Sequence, residues 1–168
     1  MNHPHDKLIF LDFDGVLNTV GTKVRIKHPI FDMKIRGLED TRVKLVSDLA
    51  NEFNAKIVIS SSWREFISLE NIKKMLSELG MTAEIIGETP QAFEDIGFGF
   101  NKMRLGRSEE IEAYLFKNGY PKNFLIIDDL QTKFFNNQIL TSDSTGFFRG
   151  HLVKARRILS SEMEVPYE

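Results

Sequence analysis

Three short apolar runs set the frame of the chain, and each ends in a polar cluster. They are Leu8-Ile9-Phe10-Leu11, Ile57-Val58-Ile59 and Phe124-Leu125-Ile126-Ile127. Runs of this length, apolar at every position, are the mark of strands buried on both faces. Between them the period changes. Val43, Val46, Leu49, Ala50 and Phe53 recur every three or four residues and predict a helix over 39–53, with Asn54 to end it. Phe66, Leu69, Ile72, Leu76 and Leu79 predict a second helix over 66–79, stopped by Gly80. A third carries Ile111, Tyr114 and Leu115. Ser108 is its expected N-cap, Glu109, Glu110 and Glu112 lie near its start, and Gly119-Tyr120-Pro121 ends it. Leu152, Ala155 and Leu159 mark a C-terminal helix. Residues 83–87 and 139–141 read as further short strands, and 130–136 leaves room for a short helix.

Two segments break the rhythm. Residues 18–37 form an irregular, flap-like excursion, in which the alternation Lys23-Val24-Arg25-Ile26-Lys27 suggests one exposed strand of a hairpin. Residues 88–107 read as irregular and contain Gly97-Phe98-Gly99-Phe100. Strands alternating with amphipathic helices make an α/β fold with a mainly parallel sheet. The polar clusters fall at the C-terminal ends of their strands, at Asp12, Ser60 and Asp128. That is the edge where open parallel sheets bind ligands.

Composition adds bounds. The 168 residues suggest a single domain over 1–168. Net charge is −2, which gives no global argument for nucleic acid. The absence of cysteine excludes disulfides and thiolate chemistry and fits a cytoplasmic protein. The polar N-terminal residues do not read as a signal peptide, and no run approaches a membrane span.

Asp12 and Asp14 are the residues with most chemical promise. On a regular strand they point to the same side, and Gly15 lets the chain turn at once. Asp12 is a candidate nucleophile, able to form an aspartyl-phosphate. Asp14 is a candidate general acid and base for the leaving oxygen and the attacking water. A carboxylate attacking a phosphate needs a hard cation, and Mg²⁺ with oxygen ligands suits Asp128 and Asp129. Ser60 or Ser61 can donate to phosphoryl oxygens, unless the serine there is a plain strand-to-helix cap. Arg107, with Lys102 and Arg104 as rivals, is a candidate to offset phosphoryl charge. Arg64 is either a positioning or substrate-contacting residue or half of a structural ion pair.

Taken together, Asp12-Phe13-Asp14-Gly15-Val16-Leu17 resembles the first motif of the haloacid dehalogenase (HAD) superfamily of phosphatases. Ser60, Arg107 and Asp128-Asp129 resemble the second, third and fourth motifs, in the right order. Ile59-Ser60-Ser61-Ser62-Trp63-Arg64, Glu110-Ile111, Ile127-Asp128-Asp129 and Thr145-Gly146 are similar to a group of compact HAD domains. Members of that group occur alone or within nucleic-acid repair proteins of the "Swiss army knife" type. A Leu commonly follows the tail glycine there, where this chain has Phe147. The resemblance implies a Rossmann-like α/β/α sandwich, Mg²⁺, Asp12 as nucleophile and Asp14 as acid/base. It also implies that the main-chain carbonyl of Asp14 joins Asp12 and Asp128 at the metal.

Neither 18–37 nor 65–106 has room for a cap domain. Open sites in this superfamily tend to take large substrates, here a nucleic-acid end or a phosphoprotein. The expected activity is therefore a Mg²⁺-dependent phosphatase, with a polynucleotide end phosphatase as the narrower version. A catalytically idle HAD domain used for binding is the alternative of another class. A signalling receiver domain is excluded by motif order.

Overall fold

The computed structural model describes residues 1–91, 93–95, 102–104, 106–133 and 135–161, with backbone alone at 93–95 and 102–104. The first apolar run forms β1 (Lys7–Leu11). The excursion after it is a hairpin of β2 (Arg25–Lys27) and β3 (Lys34–Arg36). Then come α1 (Asp40–Glu52), β4 (Lys56–Ile59), a 3₁₀ turn (Ser62–Glu65), α2 (Leu69–Glu78) and β5 (Ile85–Glu88). A second hairpin pairs β6 (Phe93–Asp95) with β7 (Lys102–Arg104). The chain continues through α3 (Arg107–Asn118), β8 (Asn123–Asp128), β9 (Gln138–Leu140), a 3₁₀ turn (Arg149–His151) and α4 (Leu152–Ser160).

The main sheet has the order β5-β4-β1-β8-β9, with every pairing parallel. Strand β1 is central because Leu8–Leu11 are apolar and are buried on both faces. Its alternate side chains divide between two cores. Ile9 and Leu11, with Ile57, Ile59, Leu125 and Ile127, pack under Val43, Val46, Leu49, Ile72, Leu76, Ala155 and Leu159 of α1, α2 and α4. Leu8 and Phe10, with Val58, Phe124 and Ile126, pack under Ile111, Tyr114 and Leu115 of α3. The result is the expected Rossmann-like α/β/α sandwich, without a sizeable cap among the described residues. A buried aliphatic side chain contributes roughly 1.5–3 kcal/mol, so these two layers hold the sheet edge rigidly.

Four local expectations change. Helix α2 starts at Leu69, not Phe66, because Ser61 caps the 3₁₀ turn and Ser68 caps α2 through the Asn71 N–H. Residues 88–107 include a hairpin rather than being irregular throughout; Phe98 and Phe100 lie outside the described residues. Helix α3 is capped by extended Gly106, so Ser108 lies inside it and its Oγ accepts from the Lys133 N–H at 2.8 Å. Among the described residues of 130–136 there is no helix. The Gln138 side chain accepts from Thr132 N and Thr132 Oγ1 and donates to the Leu130 carbonyl, taking up groups a helix would use. Phe147 is fully buried in the larger core. Arg42 holds its turn by donating to the Thr145 and Phe147 carbonyls at 2.8 and 2.9 Å. No helix among the described residues is long and apolar enough to cross a membrane.

Candidate active site

The switch in strand order between β1 and its neighbours opens a crevice at the C-terminal edge of the sheet. Backbone pairing carries the edge just past the strands. Asp12 N donates to the Ile127 carbonyl at 3.0 Å, and Ser60 N to the Leu11 carbonyl at 2.8 Å. Asp12, Ser60 and Asp128 are therefore brought side by side.

Asp12, Asp128 and Asp129 each offer an oxygen within 4.8 Å of the others. Asp12 and Asp128 are buried; Asp129 is half-buried. Burial, with the neighbouring Asp128 charge, pushes the Asp12 carboxyl well above the ordinary aspartate value, against the pull of Arg107. Burial pushes Asp128 up to about 6, again opposed by Arg107, and raises Asp129. Asp128 Oδ1 accepts from the Leu130 N–H at 2.9 Å. Its Oδ2 is buried, makes no hydrogen bond and faces the Arg107 Nε at 3.2 Å. Three carboxylates against one guanidinium leave negative charge, a buried bare oxygen and a hard donor set. Those features fit Mg²⁺.

Arg107 opens α3, and its side chain is largely buried. Its Nη1 donates to Ser60 Oγ at 3.3 Å, and its Nη2 lies 3.6 Å from Asp12 Oδ1. The two candidate serines part here. Ser60 meets Arg107 at the edge, whereas Ser61 Oγ accepts from the Trp63 N–H as the cap of the 3₁₀ turn. The side chains of Lys102 and Arg104 lie outside the described residues.

Asp14 departs from the alternation. The strand ends at Leu11 and a turn closes with Leu17 N donating to the Phe13 carbonyl at 2.8 Å. The Asp14 carboxylate is not one of the three clustered acids. It accepts from Asn18 Nδ2 and from Trp63 Nε1, both at 2.9 Å. The carbonyl role that the resemblance gives Asp14 is independent of this side-chain position. Gly15 sits at φ +72°, and a β-carbon there would lie 2.5 Å from Asp129 Oδ2, so glycine is required twice over. Thr141 Oγ1 donates to the Gly15 carbonyl at 2.6 Å and ties the turn to β9.

The side chains of Arg64 and Glu110 are each 3% exposed, paired at 2.6 Å. The guanidinium also donates to the Thr89 and Ser61 carbonyls at 2.9 and 2.6 Å. It links the Ser60 loop, the end of β5 and the first turn of α3 through a buried ion pair.

Sequence reasoning missed Asn18 and Trp63 as partners of Asp14. Asn18, four residues on, was legible as a local partner; Trp63 arrives from a distant segment with no local signal. Beyond Asp14, the β2–β3 hairpin forms one wall of a groove of about 620 Å³. Its lining includes Asp14, His28, Phe31, Met33, Lys34, Arg36, Trp63 and Phe66.

A parallel sheet with an acidic cluster, a serine and an arginine on its C-terminal edge is the arrangement expected of a HAD-type α/β domain. The chain belongs to the family described as the HAD domain in Swiss Army Knife RNA repair proteins, whose model matches residues 8–152. No curated relative and no solved structure matches it significantly.

Proposed function

We propose that the chain is a phosphomonoesterase acting through an aspartyl-phosphate on Asp12. One observation carries this reading: the oxygens of Asp12, Asp128 and Asp129 converge beside Ser60 and Arg107. Asp12 and Asp128, with Asp129 and the Asp14 carbonyl, would hold Mg²⁺, which supplies charge neutralisation at the transferring phosphoryl group. The Asp12 carboxylate attacks phosphorus, and the bond to the leaving oxygen breaks. Asp14 gives that oxygen its proton, then takes one from the water that releases phosphate. Ser60 and Arg107 donate to the phosphoryl oxygens. Asn18 and Trp63 are positioning residues that fix the Asp14 carboxylate. The whole chain works as one domain, and the lack of cysteine suits a cytoplasmic setting.

The family's description favours a narrower reading, in which the substrate is a phosphorylated nucleic-acid end. Phosphate release from 3′- and 5′-phosphorylated oligonucleotides, mononucleotides and p-nitrophenyl phosphate, with Mg²⁺, tests both readings. Turnover of the small esters alone sinks the nucleic-acid version. Asp12→Asn is expected to lower turnover by at least roughly a thousandfold, the scale of losing a covalent nucleophile. A wild type silent across the panel points instead to a binding module.

A further inference from the structure

The β2–β3 hairpin is built against its own electrostatics. Arg25 stands opposite Arg36 and Lys27 opposite Lys34, so like charges face each other across the strands. Such pairs are destabilising in a hairpin. Residues 20–37 hold five cations, Lys23 included, and one carboxylate, Asp32, in a chain of net charge −2. Asp32 reaches Lys27 only at 4.0 Å, and Asp143 takes Arg36. The intervening Ile26 and Ile35 pack on the core, so the opposite face presents the charges outward.

Lys34 and Arg36 of this hairpin also line the groove that contains Asp14. Its walls are aromatic. The His28 ring lies 4.5 Å from that of Phe66 and 4.9 Å from that of Phe31, and Trp63 lies 6.1 Å beyond Phe66. His28 is buried, and its Nδ1 accepts from the Ile30 and Phe31 N–H groups, which sets the shape of the hairpin loop. Phe31 and Met33 are nonetheless 61% and 54% exposed. At about 620 Å³ the groove is in the range of ligand sites.

We propose that this groove receives the terminal base of a phosphorylated single nucleic-acid strand, while the cationic face of the hairpin follows the backbone of the next nucleotides. The proposal rests on the phosphatase reading, because an acid at Asp14 must protonate a leaving group lying on its own side. An aromatic, thioether-lined groove suits a flat ring, and facing cations suit a repeating anion. A phosphopeptide offers neither feature as a rule. Phe31 stacks on the base and Met33 closes on its edge, while Lys27 and Lys34 meet phosphates.

Binding in EDTA separates this claim from catalysis. Fluorescence anisotropy would use single-stranded oligonucleotides with a terminal phosphate, either fully based or with an abasic terminal nucleotide. The wild type should bind the based strand more tightly. Phe31→Ala should weaken that binding roughly tenfold and bring the two strands to equal affinity, as loss of one stacking contact implies. Lys27→Gln with Lys34→Gln should lower the slope of log affinity against log salt by about 1–2. Phe116→Ala, at an exposed residue of α3 away from the groove, controls for general loss of surface apolarity. Equal wild-type affinity for based and abasic strands overturns the proposal. So does an unchanged preference in Phe31→Ala, or tighter binding of a phosphoserine peptide than of the oligonucleotide. If the binding signatures hold but Mg²⁺ brings no phosphate release, the groove stands and the phosphatase reading falls.

Discussion

Two arginine pairs flank the site at the same distance and behave differently. Arg64 meets Glu110 at 2.6 Å with both side chains 3% exposed. Arg36 meets Asp143, also at 2.6 Å, with 29% and 44% exposed. Separation alone therefore says little. The first pair lies out of water, where removing one partner strands a charge; the second is solvated and screened. The first fixes the relation between the Ser60 loop and α3, which carries Arg107. The second moderates a hairpin whose cations remain open to a ligand. One side of the crevice is tied by a buried pair, the other carries solvated charge.

The largest effect should come from the buried pair. Glu110→Gln leaves the Arg64 guanidinium buried without its counter-charge and should cost about 3–5 kcal/mol of stability. Urea unfolding measures it. A loss below about 1 kcal/mol would mean that Arg64 finds water, and the contrast with Arg36 would collapse.

Asp128 comes next, with the opposite sign. Its ordinary value of 3.8 rises to about 6 on folding. The folded state thus holds this proton more tightly than the unfolded chain does. Without metal, the stability tied to protonated Asp128 is fully present below about pH 4 and is lost as pH rises through about 6. Asp128→Asn should therefore stabilise the metal-free protein at pH 7.5 by on the order of 2–3 kcal/mol. It should also abolish any rise in melting temperature on adding Mg²⁺. A variant melting below the metal-free wild type at pH 7.5 would show that the Arg107 contact outweighs the cost of burying the Asp128 charge.

Smallest is Asp143→Asn. An exposed pair contributes about 0–1 kcal/mol, so the melting temperature should move by no more than a few degrees. A larger fall would give the hairpin pair a share in the fold that its exposure denies.

Much of the frame was legible because burial writes itself into the sequence. Strands β1, β4 and β8 are apolar at successive positions, and no other environment tolerates that pattern so well. Asp12, Ser60 and Asp128 could be read as edge residues because each directly follows such a run. The start of α2 was misread for a physical reason. Phe66 continues the helical spacing but belongs to the region after the 3₁₀ turn, and Ser68 holds the true cap. Strands β6 and β7, of three residues each, are too short for a period to register. The partners of Asp14 were the hardest case. Its alternation with Asp12 was a property of a strand that in fact stops at Leu11, and Trp63 reaches it only through tertiary packing.

The position of β1 also bears on how the molecule comes into being. Ile9 pairs with Ile57 on one side and Leu125 on the other, so the central strand waits for partners far along the chain. Contacts of such separation form slowly. The acidic cluster needs Asp128, at the end of the later partner, and so is complete only once β8 has docked. A divalent cation that binds only the finished cluster would lengthen the lifetime of the native state and leave the rate of reaching it almost untouched. The ion would act as a latch, closed after assembly, rather than as a seed.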